Sequence, residues 1–374
     1  MTGRWQRFEW RGRPARAWIP DRLSERSFDF DERTIRATEQ ATAALRLTDR
    51  SLPADFEPLA RLLLRTEGIA SSSIEGVRAP IVDVAVSEVA SSSSNAGWIA
   101  DNLSAVAEAM STTGDLSTES LHQWHQRLMV HSPLDPSMVG AFRAAPSWIG
   151  GTSPQDAAFV PPPAAAVPGL VDDLIAWANA DHLDPVTQAA LVHAQFETIH
   201  PYADGNGRLG RILIGWVLLR RGVVGRLPPP ISVLIARDPG GYISGLHLFR
   251  EGPSDHYVRW FADVVAASAR QSDEMVERIS RTLRRWEQDL DDLRSDAAAL
   301  RLIRQLPQAP VVTAPQVAVL LETSERSART ALELLRQRGM VELVTPAQRD
   351  TRRGRPPSHY AATALLDATS EWAR

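Results

Sequence analysis

The sequence predicts a mostly α-helical protein with a small second unit at its C-terminal end. Apolar residues recur at spacings of three and four along most of the chain. A loop rich in Gly, Pro and Ser interrupts this pattern at 147–163, and a different, arginine-rich texture begins near Ala297. With 374 residues the chain is too long for one ordinary core, so we expect two or three units.

The helices are predicted in chain order from this spacing, and their terminal residues follow from capping preferences. The predicted helices are Asp31–Leu47, Ala54–Ile74, Trp98–Met110, Leu121–Val130, Val167–Ala178, Pro185–Ile199, 209–222 and Tyr257–Asp289. The segment SWIGGTSPQDAAFVPPP (147–163) is predicted to be a loop with a short β-hairpin across its Gly pair. From Ala297 the pattern indicates helix, helix, turn, helix, strand, loop, strand, with Ser324 capping the third helix and Gly339 ending it.

Composition excludes several classes of protein and of chemistry. A hydrophobic content of 44% with 23% charged residues is typical of a globular protein. No apolar run reaches the roughly 18 residues of a membrane span, and the first residues lack a signal-peptide stretch, so we expect a cytoplasmic protein without a membrane partner. Cysteine is absent, which excludes disulfides and thiol nucleophiles. All 41 basic residues are arginine, which excludes a lysine P-loop and a Schiff base.

The connection HPYADGNGRLGR (200–211) carries far more polar chemistry than a turn requires. Gly205 and Gly207 allow a sharp turn, and their N–H groups, with that of Asn206, lie at the start of the next predicted helix. Free N–H donors and the positive end of the helix dipole form an anion site there.

Four charged or titratable side chains surround this predicted anion site. Arg208 and Arg211 are three residues apart and share a helix face, which favours a polyanionic ligand. Asp204 offers an oxygen ligand for Mg²⁺, and His200 offers a base near neutral pH. Together these groups indicate phosphoryl-type transfer.

The same stretch resembles the signature of the Fic (filamentation induced by cAMP) family, HxFx(D/E)GNGRxxR, with Tyr202 in place of the usual Phe. WIGG at 148–151 with FVPPP at 159–163 resembles the flap of this family, and 236–252 resembles the segment that borders adenine. The resemblance covers roughly residues 30–270. It implies a helical Fic core with a short β-hairpin flap, and a protein adenylyltransferase that moves AMP from ATP to a Ser, Thr or Tyr hydroxyl.

Roles for individual residues follow from this resemblance. His200 would take the proton of the attacking hydroxyl, and Asp204 would hold Mg²⁺ on the α- and β-phosphates. Gly205, Asn206 and Gly207 would cradle the phosphates, while Arg208 and Arg211 would neutralise the β- and γ-phosphates. The flap residues Ile149, Gly150 and Gly151 would pair with the backbone of the target. Tyr242 would line the adenine pocket, where Ile243 replaces a second aromatic residue common in relatives.

A second short motif, SSSIEG (71–76), resembles the inhibitory motif of this family, (S/T)xxxE(G/N). Gly76 is a natural residue to end a helix, whereas Glu75 meets the negative end of the helix dipole. With Ser71, Glu75 and Gly76 in the fixed positions, the resemblance implies a bidentate Glu75–Arg211 pair that blocks the γ-phosphate site. A solvated surface glutamate is the alternative.

The C-terminal unit resembles a winged helix-turn-helix, with Ser324–Arg338 as recognition helix and Val341–Tyr360 as wing. Residues 324–360 hold eight arginines against four acidic residues, a net charge of +4, whereas the whole chain carries −4. This segregation is consistent with DNA binding, and dimerisation or target docking is the alternative.

We therefore predict an N-terminal helical region (1–110), a catalytic core (111–270), a helical linker (271–296) and a winged-helix domain (297–374). ATP, Mg²⁺ and a protein substrate, including this chain itself, are the expected ligands, with DNA and a second copy as open hypotheses. Two alternative functions remain: a DNA-binding regulator whose Fic core senses nucleotide, and a Fic variant that removes AMP or transfers another phosphate or nucleotide group.

Overall fold

The structure is a computed structural model, and it describes residues 2–52, 57–89, 94–112, 114–181, 183–225, 227–252, 254–345 and 358–370. Helices form most of these residues, which confirms the predicted fold class. Within the described ranges, no helix is both long enough and apolar enough to pass through a lipid bilayer.

An antiparallel β-hairpin precedes the first helix and was not predicted. Strand β1 (Gly3–Trp10) pairs with β2 (Arg13–Pro20) across the two residues Arg11 and Gly12. Both have positive φ, 50° and 75°, as a type I′ turn requires. An Arg-Gly pair is a weaker signal for such a turn than Asn-Gly or Asp-Gly, so sequence reasoning missed the hairpin.

Eleven α-helices are described between the hairpin and residue 288. They are α1 (Glu32–Ser51), α2 (Glu57–Ile74), α3 (Ile81–Ser87), α4 (Asn95–Ser111), α5 (Thr118–Leu128), α6 (Val167–Asn179), α7 (Pro185–Ile199), α8 (Asn206–Arg220), α9 (Ile231–Arg237), α10 (Pro239–Glu251) and α11 (Asp255–Gln288).

Helices α7 and α8 form the centre of the main core. Almost every side chain of both helices is buried; α8 is mostly apolar, whereas α7 also buries polar residues such as Gln188, His193 and Glu197. Helix α7 begins where Asp184 accepts hydrogen bonds from Val186 N (2.9 Å) and Thr187 N (3.4 Å), as an N-cap residue does. Helices α1, α4, α6, α10 and α11 pack around this pair, so the loop between α7 and α8 is held from several sides.

The C-terminal unit alternates short helices and strands. Its elements are α12 (Ala298–Gln305), β3 (Val311–Thr313), α13 (Ala314–Leu320), α14 (Glu325–Gln337), β4 (Glu342–Val344), β5 (His359–Ala361) and α15 (Thr363–Ser370). The three strands form one antiparallel sheet in the order β3-β5-β4.

Several predicted details of this unit agree with the structure. Ser324 caps α14 by accepting a hydrogen bond from Ser327 N (3.1 Å), and Gly339 follows the helix with φ of 71°. Strands β4 and β5 pair, while the loop of the predicted wing, 346–357, lies outside the described residues. Strand β3 and helix α15 were not predicted, because three strand residues and eight helix residues carry little periodic signal.

One hydrophobic core joins the C-terminal unit to the N-terminal region. The cluster contains Leu62 of α2, Trp286 of α11, and Leu302 and Leu332 of the C-terminal unit, all with at most 2% exposure. Helix α15 packs against both α2 and α3. The division at residue 297 stays a prediction, but the apolar core continues across it.

Deleting residues 297–374 should therefore destabilise the rest of the chain. The deletion would expose Leu62 and Trp286, each of which contributes about 1.5–3 kcal/mol when buried. We expect a lower melting temperature and binding of the dye ANS. An unchanged melting transition for the residues before 297 would instead indicate that the C-terminal unit folds independently of them.

Candidate active site

The loop 200–205 connects the two central helices through two residues with left-handed backbone conformation. His200 ends α7 with φ of 51°, and Gly205 precedes α8 with φ of 76°. A Cβ on Gly205 would also lie 3.1 Å from both Leu128 and Met129. Glycine is therefore favoured here by its backbone conformation, and the space beside it is tight.

Asn206 closes this loop on itself. Its buried side-chain amide donates to Tyr202 O (2.9 Å), and its Oδ1 accepts from Tyr202 N (2.8 Å). The side chain of Asn206 is therefore used within the loop, which leaves its backbone N–H for the predicted anion site at the start of α8.

Tyr202 is fully buried, and its hydroxyl has a partner. The hydroxyl lies 2.9 Å from His122 Nδ1, and the ring stacks on His125 at 4.1 Å between centroids. This hydrogen bond explains how Tyr replaces Phe in the motif without leaving a buried hydroxyl unsatisfied.

His125 holds the loop from the side of α5. Its Nδ1 accepts a hydrogen bond from Gly140 N (2.8 Å), so its Nε2 must carry the proton that it donates to Asp204 O (3.1 Å). Burial lowers the pKa of His125 to about 4, which keeps this neutral tautomer at physiological pH.

His200 is largely buried and neutral. Burial, followed by the charge of Arg143, lowers the pKa of His200 to about 4. Its Nδ1 has no hydrogen-bond partner among the described residues. Because Nδ1 is buried, Nε2 is the ring nitrogen of the neutral imidazole that could meet a hydroxyl and accept its proton, as a general base must.

Arg143 fixes the position of His200, and sequence reasoning missed it. The Nε of Arg143 donates to His200 O (2.8 Å), while its other nitrogens donate to Ala145 O (3.1 Å) and Pro162 O (2.6 Å). The buried guanidinium thus ties the loop to both ends of the flap segment. No local sequence pattern indicates these three carbonyl partners.

The predicted flap residues form a short antiparallel bridge and its turn. Ile149 N donates to Phe159 O (2.8 Å), and Phe159 N donates to Ile149 O (3.1 Å). Gly150 and Gly151 follow with φ of 69° and 72°. The tip is closed by the carboxylate of Asp156, which accepts from backbone N–H groups within the turn.

The first two turns of α8 hold two buried arginines, Arg208 and Arg211. Arg208 Nη2 lies 3.9 Å from Asp204 Oδ2, and Arg208 Nε has no hydrogen-bond partner in the described chain. Asp204 itself is mostly exposed, and its Oδ1 accepts from Gly205 N (2.7 Å). Two buried cations at a helix N-terminus form a strongly anion-attracting site.

A magnesium ion would fit Asp204 only together with a ligand that supplies more oxygens. The described residues contain no group of three side chains that could hold a metal ion on their own. Mg²⁺ in nucleotide sites is typically held by one or two carboxylates plus the phosphates of the substrate. A single exposed carboxylate beside an anion site is consistent with that arrangement.

Arg211 is fully buried and is held by the end of α2. Its Nη2 donates to Glu75 Oε1 and to Ser71 O, at 2.9 and 2.8 Å, and its Nε donates to Ser71 Oγ (2.9 Å). Glu75 therefore accepts a hydrogen bond from only one guanidinium nitrogen, so the prediction of a bidentate pair is wrong. The second nitrogen pairs instead with Ser71, which lies one helical turn before Glu75.

The carboxylate of Glu75 lies directly against the start of α8. A Cβ placed on Gly207 would lie 2.0 Å from Glu75 Oε1, so only glycine leaves room for it. Burial disfavours the charged form, but Arg211 outweighs it and holds the pKa of Glu75 below its usual value. Gly76 ends the helix with φ of 78°, which fixes Glu75 at this point.

A buried polar cluster lies on the other side of Arg211. His193 Nε2 lies 2.9 Å from the Tyr242 hydroxyl, and both side chains are buried. The structure thus places Tyr242 within the core, and its contact with adenine stays a prediction. Glu197 Oε1 has no hydrogen-bond partner among the described residues, and burial raises its pKa to about 7.

The buried histidines and Glu197 give stability opposite dependences on pH. Burial lowers the pKa of His193 to about 3, so between about pH 6.5 and 3 the unfolded chain binds a proton that the folded chain does not. This contribution therefore makes the free energy of unfolding fall as the pH falls. The raised pKa of Glu197 has the opposite effect, because the folded chain keeps a proton that the unfolded chain loses above about pH 4.3.

Conservative substitutions should separate these two contributions. Between pH 5 and 6, His193→Gln should make the dependence of unfolding free energy on pH shallower by about 1.4 kcal/mol per pH unit, and Glu197→Gln should make it steeper by a similar amount. Chemical denaturation at several pH values measures both, with the exposed His256→Gln as control. Equal slopes for the His193 and Glu197 variants would contradict this assignment.

Comparison with known proteins identifies the central segment. Residues 115–218 match the model of the Fic/DOC family. The "Protein adenylyltransferase Fic" of Drosophila melanogaster is 32% identical over 152 residues, which cover 40% of this chain and 28% of that relative. The corresponding protein of Drosophila ananassae is 31% identical over the same share of this chain. The matched region thus spans less than a third of these relatives.

Solved structures share the fold over a larger part of the chain. A Fic family protein from Desulfovibrio desulfuricans G20 covers 90% of this chain and 97% of its own, with a TM-score of 0.54 and 20% identity. Fic-1 from C. elegans covers 63% of this chain and 71% of its own, with a TM-score of 0.52 and 20% identity. At this level of identity the likeness concerns the fold alone. Residues 115–218, which carry the loop between α7 and α8, therefore match the Fic/DOC family model, as the motif at 200–211 indicated.

Proposed function

We propose that this protein is a protein adenylyltransferase that transfers AMP from ATP to a Ser, Thr or Tyr hydroxyl and is inhibited by its own Glu75. The observation that carries the proposal is the neutral His200 beside a helix N-terminus that holds two buried arginines. One of these arginines is paired with Glu75. The names of the Drosophila relatives support the same activity.

The proposed reaction uses His200 as a general base. Its ring Nε2 accepts the proton of the target hydroxyl while the hydroxyl oxygen bonds to the α-phosphorus of ATP. The bond from the α-phosphorus to the oxygen bridging to the β-phosphate breaks, and pyrophosphate leaves with that electron pair. The products are a phosphodiester between AMP and the target, pyrophosphate, and a proton that His200 returns to solvent.

The start of α8 would bind the phosphates. The N–H groups of Asn206 and Gly207 point out of the helix N-terminus, and Arg208 and Arg211 supply the positive charge that a departing pyrophosphate needs. Asp204 would hold Mg²⁺, which shields the phosphate charges and polarises the α-phosphorus.

Inhibition would result from competition for Arg211. The guanidinium is buried and already neutralised by Glu75, and the Glu75 carboxylate fills the space in front of Gly207. A γ-phosphate cannot bind Arg211 until Glu75 leaves. Because the pKa of Glu75 is lowered, the pair stays ionised throughout the physiological range, and release requires that the Glu75 carboxylate move away from Arg211.

A second candidate function concerns the C-terminal unit. Its order of helix, strand, helix, helix, strand, strand is that of a winged helix, which supports DNA binding as a proposal. Three arginines of the proposed recognition region, however, are paired with acids: Arg329 with Glu325, Arg336 with Glu333, and Arg338 with Asp292. Exposed pairs are weak and salt-sensitive, so DNA phosphates could replace them. Footprinting on genomic fragments tests this proposal.

His200→Ala should abolish AMP transfer and leave ATP binding nearly intact, because the base acts on the target and not on the nucleotide. Loss of a general base typically costs about 10²–10⁴-fold in rate. Intact-mass measurement after incubation with Mg-ATP detects AMP on the chain or on an added partner. The exposed His256→Ala serves as control, and near-normal transfer by His200→Ala would refute the role of His200.

Glu75→Gly should raise AMP transfer at least about tenfold. A hydrogen bond to a charged group contributes roughly 1.5–3 kcal/mol, and about 1.4 kcal/mol is a factor of ten. Glu287→Gly is a matched control, because Glu287 also lies at a helix end, is 40% exposed against 41% for Glu75, and pairs with an arginine at 2.9 Å. Labelled AMP incorporation measures both.

The double variant Glu75→Gly with Arg211→Ala tests the pairing itself. If Arg211 binds the γ-phosphate once Glu75 is removed, the second substitution should cancel the activation. Full activation without Arg211, or no activation by Glu75→Gly, would contradict the proposed inhibition.

A further inference from the structure

The N-terminal hairpin β1–β2 is joined to the flap by a backbone hydrogen bond. Trp18 N of β2 donates to Val160 O (2.9 Å), next to the bridge between Ile149 and Phe159. Trp10 near the hairpin turn contacts Trp148 of the flap, with 5.4 Å between ring centroids. The hairpin and the flap therefore form one continuous surface beside the active site.

The flap part of this surface is connected to His200, the proposed general base. Pro162, two residues after Val160, accepts a hydrogen bond from Arg143, and the same guanidinium donates to His200 O. The hairpin is thus linked to the loop of His200 through flap residues 160–162 and the buried Arg143.

The hairpin carries a strong positive charge. Residues 2–20 contain five arginines and one glutamate, a net charge of +4, within a chain whose net charge is −4. The arginines are Arg4, Arg7, Arg11, Arg13 and Arg16, and all five are exposed. Among the described residues no ion pair neutralises them; Arg11 contacts the ring of Trp10 instead.

Two of these arginines lie opposite each other. The register pairs Arg7 with Arg16 and Trp5 with Trp18, so Trp5, Arg7 and Arg16 share one side with the exposed Glu9. We call this side the arginine face. Like charges directly opposite in a sheet are destabilising. Trp5 is 52% exposed on the same side, which adds a large apolar contact surface. Such a combination is stabilised when an anionic partner covers it.

We propose that the arginine face of hairpin β1–β2 binds an acidic segment of the polypeptide that receives AMP, which extends the target contact of the flap. The inference rests on the proposed function, because the flap holds the target only if the protein modifies one. A polypeptide is favoured over a membrane or nucleic acid because the hairpin is hydrogen-bonded to the flap, and an extended segment of the target would lie along the flap.

The charge contribution would act mainly on association. Complementary charges at the edge of an interface raise the association rate and select among partners, and the effect weakens with salt. The arginine face would therefore select targets whose hydroxyl lies near acidic residues, and Trp5 would contact the apolar parts of the same segment.

Fluorescein-labelled peptides test this surface. Each peptide carries one Ser, Thr or Tyr flanked by glutamates in one series and by glutamines in a second. Binding to the 374-residue chain is measured by fluorescence anisotropy without ATP. We expect the glutamate peptides to bind at least about tenfold more tightly at low salt, and this preference to disappear in Arg7→Glu with Arg16→Glu.

Arg33→Glu with Arg46→Glu is the matched control, because both residues are exposed arginines of α1 and the change in net charge is identical. This control should keep the preference for glutamate peptides. Circular dichroism verifies that both double variants fold, and Arg7→Gln with Arg16→Gln replaces the hairpin variant if it does not. Equal loss in control and hairpin variants, or no preference in the wild type, would overturn the inference.

Labelled AMP transfer in the Glu75→Gly background separates this inference from the proposed function. Charge reversal on the arginine face should raise KM for glutamate peptides at least about tenfold and leave kcat unchanged. Specific binding without AMP transfer to any peptide or to the chain itself would refute the adenylyltransferase proposal and still support the acidic-polypeptide surface. If phosphatidylserine vesicles or duplex DNA bind through Arg7 and Arg16 and the glutamate peptides do not, the assignment to a polypeptide is wrong.

Discussion

The buried guanidinium of Arg211 is the constraint on which this site depends. A cation removed from water is costly unless it is paired and fully hydrogen-bonded. The end of α2 supplies this pairing through Ser71 and Glu75, although Arg211 Nη1 has no partner among the described residues. Burial acts to lower the pKa of Arg211, but the negative charge of Glu75 together with Tyr242 and Glu197 keeps it raised. Any ligand that displaces Glu75 must therefore bring an anion of its own to the same position. This requirement links the end of α2, the start of α8 and the phosphate chemistry proposed for them.

The burial of α7 and α8 sets the chemistry of the loop between them. Because both helices are buried on nearly all sides, His200 at their junction is desolvated, and it remains neutral at physiological pH, as does the buried His125 of α5. The loop keeps its shape through Asn206, His125 and Arg143, each of which binds backbone atoms. The side chains with proposed roles in the reaction are thereby held by neighbours that do not themselves react.

Helix α2 connects this site to the opposite end of the molecule. Its last turn contacts Arg211, while Leu62, three turns earlier, lies in the core of the C-terminal unit. Helices are stiff over such lengths, so a change in packing around Leu62 can reach Glu75 without an intervening loop. The hairpin β1–β2 is likewise connected to the site, because it is hydrogen-bonded to the flap.

The sequence by itself determined the helical fold class, most helix positions, the caps at Ser324 and Gly339 and the motif at 200–211, because these depend on local periodicity and on residue types at fixed spacing. Only the tertiary structure decided features that join distant parts of the chain. Arg211 meets Ser71 across 140 residues, and Arg143 binds His200 across 57. The hairpin β1–β2, strand β3 and helix α15 are short, and packing against other elements, which local propensity does not encode, stabilises them. The single-nitrogen contact of Glu75 has the same origin, because its geometry depends on where two separate helices meet.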